Sequence, residues 1–150
     1  MDDAALRTEI TDQLLRFIAG VVLHSNEVAR RVGLGPSDAQ FLGLLGVEGP
    51  LTPGKLAELT GLTTGTVTGV LDRLERGGFV RRERDAADRR KVLVTPVPEA
   101  VARLSVHYAE HGAHTDALLD RRDTAELQVI ADFLREMNAS PGGMVSDAPG

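Results

Sequence analysis

Between residues 63 and 91 the chain concentrates the side chains best suited to gripping a polyanion. Thr63, Thr64, Thr66 and Thr68 lie close together, interleaved with Gly65 and Gly69. Arg73 and Arg76 follow, and then Arg81, Arg82, Arg84, Arg89, Arg90 and Lys91. Threonine hydroxyls bond phosphates or base edges, and a threonine methyl touches the methyl of thymine. Arginine suits the narrow, negative minor groove of A·T-rich DNA. Residues 73–91 hold eight basic and four acidic side chains, on a chain whose net charge is −5. A positive patch on an acidic body is compatible with DNA, because the field near the patch governs the contact. A solvated charged surface is the plain alternative, and for the two glycines it is neutral surface drift.

Other chemistries find less to work with. The sequence has no Cys, which excludes disulfides, thiolate zinc sites, cysteine nucleophiles and thiol redox switches. Aromatic residues are 3% of the chain, with no Trp, too few for a base-stacking platform. No Gly-rich phosphate loop, nucleophile elbow or metal-hydrolase pattern is present, so an enzyme is not expected. His107, His111 and His114 have a spacing that could bring imidazoles to one helix face for zinc. An ordinary polar face is the favoured reading there, and no metal or other cofactor is expected.

These residues need elements to position them. Leu6, Ile10, Leu14, Phe17, Ile18, Val21 and Val22 recur at helical spacing and define a first helix reaching about Arg31. Ser37 followed by Gln40 resembles a capping box for a second helix, closed by Gly46, Gly49 and Pro50. Thr52 with Pro53 starts a short third helix. Gly61 turns the chain, and Thr63 caps a fourth helix running to about Arg76. Its core face is Val67, Val70, Leu71 and Leu74. With those inward, Gly65, Gly69, Asp72 and Arg76 point outward, flanked by Thr66, Thr68 and Arg73. Gly77 and Gly78 stop it. Strands over 79–84 and 91–97 enclose the polar turn 85–90 as a hairpin. A helix over about 99–119 follows, and Asp123 with Glu126 caps a last one.

A short helix, a glycine turn, a longer helix and a basic hairpin make a winged helix-turn-helix, whose second helix enters the major groove. The expected fold is therefore mainly α. A winged domain over 36–98 has a two-stranded basic wing and is flanked by helices over 1–35 and 99–137. The Gly-, Pro- and Ser-rich stretch 138–150 reads as a disordered tail. The acidic N-terminus lacks a signal-peptide pattern and no apolar run could span a membrane, so a cytoplasmic location is expected. A winged domain used for protein contact would show apolar residues on the outer side of residues 64–76, and the sequence shows the reverse.

Over about residues 6–137 the chain resembles the MarR (multiple antibiotic resistance) regulators. The matching residues are Leu56-Ala57-Glu58-Leu59-Thr60-Gly61-Leu62-Thr63, Val67-Thr68, Leu71-Asp72-Arg73-Leu74-Glu75, Gly78-Phe79-Val80 and Arg81-Arg82. The wing pattern of the family is met by Asp88-Arg89-Arg90 and Thr95-Pro96. The resemblance implies a DNA-binding transcriptional regulator, a ligand-responsive repressor on a pseudo-palindromic operator. It also implies a homodimer joined through the terminal helices and a small-molecule effector. Asp88 would hold the wing while Arg90 or Arg89 reaches DNA. The expected DNA-binding set is Thr63, Thr64, Gly65, Thr66, Thr68, Gly69, Arg73, Arg76, Arg84, Arg89, Arg90 and Lys91. Two positions depart from the pattern: Gly69 stands where relatives often carry a basic or polar residue, and Val94-Thr95 replaces Leu-Thr.

Overall fold

The computed structural model describes residues 2–139. The chain divides into two compact units, residues 1–43 and residues 44–150. In the first, α1 spans Asp3–Arg31. The Asp2 carboxylate accepts from Ala5 N at 2.7 Å and caps its N-terminus, supplying an acceptor to a backbone donor the helix cannot satisfy. Most of its apolar side chains stay in solvent, and Phe17 is 66% exposed. Val28 and Ala29 are buried.

Helix α2, Pro36–Glu48, runs from the first unit into the second. Its start differs from the expected Ser37–Gln40 box. Pro36 occupies the first helical position, so Gly35 is the cap, and Asp38 accepts from Gly35 N at 3.0 Å. The helix also continues through Gly46, and the chain turns only at Gly49, where φ is 79°.

In the second unit α3 spans Pro53–Thr60 and α4 spans Thr64–Arg76. Thr52 Oγ1 accepts from Lys55 N at 3.1 Å, and Thr63 Oγ1 accepts from Thr66 N at 3.3 Å. Both expected caps form. Gly61 joins the two helices with φ of 68°, a left-handed conformation that a side chain disfavours. Strands β1, Val80–Arg84, and β2, Val92–Pro96, pair antiparallel, with Val80 opposite Pro96, Arg82 opposite Val94 and Arg84 opposite Val92. Leu51 and Val94 exchange backbone hydrogen bonds of 3.2 and 2.7 Å, which ties the base of the hairpin to the segment before α3. Helix α3 packs on α4 and β2, and α4 packs on β1. Leu45, Leu56, Val67, Val70, Leu71, Leu74, Phe79, Val80, Val94 and Ala100 are buried.

The helix expected over 99–119 is interrupted. Helix α5, Pro98–Ser105, gives way to a 3₁₀ turn, Val106–Tyr108, before α6, Ala109–Leu119. Helix α7 spans Thr124–Ala139. Its capping box closes in both directions: Asp123 accepts from Glu126 N, and Glu126 accepts from Asp123 N, each at 2.9 Å. Asn138 and Ala139 are helical, and the rest of the expected tail lies outside the described residues. Among the described residues no helix is long and apolar enough to cross a membrane.

Leu74 is 0% exposed and Val47 is 74% exposed. Leu74→Ala should lower unfolding stability by about 2–5 kcal/mol, the range for emptying a packed leucine site. Val47→Ser should stay within about 0.5 kcal/mol of the parent. Urea unfolding of both variants checks the difference.

Candidate nucleic-acid interface

The core stripe fixes which side of α4 meets solvent. Thr63, Thr64, Gly65, Thr66, Thr68, Arg73 and Arg76 are exposed, and Gly69 is half-buried. All expected α4 residues therefore lie away from Val67, Val70, Leu71 and Leu74. A Cβ on Gly65 would meet nothing within 4 Å, and one on Gly69 would meet only Arg73 Nη1, at 3.9 Å. Internal packing does not require glycine at either place. What glycine gives this face is room.

The hydroxyls are partly engaged. Thr63 and Thr66 bond each other through Oγ1 at 2.9 Å, and Thr68 Oγ1 donates to Thr64 O at 2.9 Å. Thr68 thus keeps an acceptor and a methyl free for an outside partner. Arg76 Nε donates to Asp72 O at 3.2 Å, which holds its stem against the helix.

The hairpin tip is built by aspartates. Asp85 Oδ1 accepts from Ala87 N at 2.9 Å, and Asp88 Oδ1 accepts from Arg90 N at 3.0 Å. Both are local side-chain turns of the kind aspartate favours. Lys91 N donates to Asp88 O at 2.9 Å. Asp88 acts on the backbone of the tip. Arg84 Nη1 donates to Arg89 O at 2.8 Å, so this exposed cation also braces the hairpin. The side chains of Arg89, Arg90 and Lys91 are exposed and have no partner among the described residues.

Two functional features escaped the sequence. Asp85 builds half of the tip, and an aspartate two residues before a small residue in a polar turn was the available signal. Arg82, counted with the other wing cations, turns toward α4. Its Nη2 pairs with Asp72 Oδ1 at 2.8 Å, and its Nη1 pairs with Glu75. The Asp72 hydrogen bond, outweighing partial burial and reinforced by Glu75, raises the Arg82 pKa above its ordinary value. Arg81 pairs with Glu83 at 2.5 Å. The expected histidine face is broken at His107, which falls in the 3₁₀ turn. No group of three or more His, Cys, Asp or Glu among the described residues is arranged to hold a metal ion.

A capped helix-turn-helix followed by a two-stranded basic hairpin defines a winged helix-turn-helix regulator. The comparisons agree. The profile of the MarR family matches residues 32–91. The chain is 35% identical to the transcriptional regulator YcgE of Bacillus subtilis, over 75% of this chain and 73% of that protein. It is 31% identical to the transcriptional repressor YetL of the same organism, over 58% of this chain and 52% of YetL. Streptococcus pneumoniae FabT, solved in complex with DNA, shares the fold with a TM-score of 0.59 at 23% identity, covering 87% of this chain and 94% of FabT. The chain belongs to the MarR family: it is a DNA-binding transcriptional regulator and not an enzyme.

Asp88→Ala should speed amide hydrogen exchange at Arg90, whose N–H loses its acceptor, and leave the buried amides of α4 unchanged. Exchange followed by NMR on the free protein checks this. Unaltered protection at Arg90 would show that the carboxylate does not hold the tip.

Proposed function

We propose that the protein is a homodimeric repressor that reads a pseudo-palindromic operator and is released by a small-molecule effector. Each protomer seats α4 in the major groove, with Thr64, Gly65, Thr66, Thr68 and Gly69 toward the bases and Arg73 and Arg76 toward phosphate. Thr63 caps the helix at the DNA surface. Arg84, Arg89, Arg90 and Lys91 carry the wing to the adjoining minor groove, and Asp88 holds its tip. Such a regulator works on DNA in the cytoplasm.

One observation carries this reading. The wing tip is braced by its own backbone and carboxylates, yet Arg89, Arg90 and Lys91 have no partner among the described residues. Three cations held ready on a fixed loop, beside a helix face stripped to threonine and glycine, fit a phosphate-lined groove better than any other common partner. FabT was solved bound to DNA and YetL is a repressor, which favours the same activity here. The effector follows from family membership.

The dimer is supported by apolar surface. Leu6, Ile10, Phe17 and Val21 are exposed at helical spacing on α1, as are Leu127, Leu134 and Met137 on α7. Burying side chains of this size contributes about 1.5–3 kcal/mol each. Leu134→Glu should therefore yield a folded monomer at micromolar concentration, since the site is 50% exposed in one chain. Sedimentation with circular dichroism checks it, and a dimer that persists rules α7 out of the interface.

DNA from upstream of the protein's own gene should shift in a gel and compete against random duplex. Affinity should fall about 10³–10⁵-fold between 50 and 200 mM salt if about 6–10 phosphates are contacted. Arg90→Ala should weaken binding and lower the salt slope by about one unit, with melting unchanged. Arg90→Lys should restore only part, because ammonium is more strongly hydrated than guanidinium. Parent-like binding by Arg90→Ala would make that side chain a bystander.

A further inference from the structure

Arg82 differs from the other cations of the wing in where it is spent. Strand alternation puts Val80, Arg82 and Arg84 on one face of β1. Val80 is buried, the Arg82 side chain is 27% exposed, and Arg84 is exposed. Along that face the contact with α4 passes from apolar packing to an ion pair and then to solvent. The ion pair has two anchors. Asp72 and Glu75 sit three residues apart on α4, and the two terminal nitrogens of Arg82 take one each.

We propose that Arg82, Asp72 and Glu75 form a strap that fixes the wing against the recognition helix, making Arg82 a positioning residue for operator selection. The proposal rests on the reading of α4 and the wing as the DNA interface. A single surface ion pair would leave the wing free to pivot. A planar guanidinium with separate carboxylates on its two ends resists rotation as well as separation, a geometry that lysine cannot reproduce. The base of the hairpin is already held by Val80, Val94 and the Leu51–Val94 bridge. The strap lies at the same level on the other strand, where Arg82 stands opposite Val94, so it holds β1 to α4 where the bridge holds β2.

The consequence is for selection more than for folding. Exposed ion pairs contribute little to stability. A wing set at one angle lets α4 and the wing tip engage their grooves together, without ordering the wing on the DNA. The strap also offsets the charge of Asp72 and Glu75, which would otherwise repel phosphate from the surface of α4.

Simple electrostatics and the strap predict opposite signs. Removing both carboxylates, by Asp72→Asn with Glu75→Gln, takes two negative charges away and frees a cation, so charge alone predicts tighter binding. The strap predicts that the ratio of operator to random-duplex affinity falls about tenfold, as for loss of one good base contact, with the salt slope unchanged and melting near the parent's. Arg82→Gln should do the same, and Arg82→Lys should recover part. Tighter operator binding by the double variant, or an unchanged ratio, overturns the proposal.

A second measurement needs no DNA. The chain has no cysteine, so spin labels at Ala87→Cys and Glu58→Cys report wing-to-α3 distance alone, in protein diluted with unlabelled chain. The distance distribution should broaden in Arg82→Gln and in the double variant. An unchanged width overturns the strap whatever the DNA result. A broadened width in a protein whose parent ignores DNA sequence keeps the strap and refutes the interface.

Discussion

Burial of one stripe on α4 decides most of what this molecule presents. Val67, Val70, Leu71 and Leu74 are each 1% exposed or less. Successive residues of a helix differ by about 100° around its axis, so a slip of one residue would drive Thr68 and Glu75 toward the core. It would also forfeit about 1.5–3 kcal/mol for every aliphatic side chain exposed. The helix therefore has one rotation. With it fixed, the threonines and glycines face outward together, Asp72 and Glu75 stand where β1 passes, and Arg82 finds both. The turn at Gly61 and the caps at Thr52 and Thr63 serve that arrangement, because they set where α4 begins and how it leaves α3.

How much of this was legible in the sequence depended on how local the determinant is. Caps at Thr52, Thr63 and Asp123 involve partners three residues away, and all three form. The apolar spacing of α4 was likewise sufficient to name its buried face. The start of α2 was misread because two overlapping patterns compete there. Pro36 settles it, since proline lacks an N–H and fits the first turn, which leaves Gly35 as cap and Asp38 as its partner. The 3₁₀ turn at Val106–Tyr108 has neither Gly nor Pro within it, so no local signal marked it. Arg82 was illegible for another reason. Counting cations does not separate one that faces a partner from one that faces solvent, and its carboxylates lie seven and ten residues away.

The same distinction resolves the apparent conflict between a net charge of −5 and a nucleic-acid partner. Of the wing cations, Arg81 and Arg82 are neutralised by neighbouring carboxylates, and Arg84 is tied to the hairpin backbone. Arg89, Arg90 and Lys91 keep their charge at the tip. The protein concentrates a small number of uncompensated charges on one projecting loop. At physiological salt the Debye length is about 8 Å, so the acidic remainder of the chain is largely screened from a phosphate that touches the tip.

The composition of α4 sets a limit that the proposed dimer would address. The first half of its outer face, threonine and glycine up to Gly69, carries none of the bidentate side chains, Arg to guanine or Asn and Gln to adenine, that discriminate by about 1–3 kcal/mol each, and Arg73 and Arg76 follow only in the second half. Thr68 offers an acceptor and a methyl, a combination matched by the adenine amino group and thymine methyl of an A·T pair. Such contacts discriminate weakly one at a time. Linking two reading heads makes the second contact intramolecular and raises overall selectivity without any new side chain. The exposed apolar stripes on α1 and α7 would supply surface for that linkage in the proposed dimer, outside the winged elements. In the proposed dimer a reading helix this plain would gain discrimination from geometry: the spacing between two heads and the angle at which each wing is held.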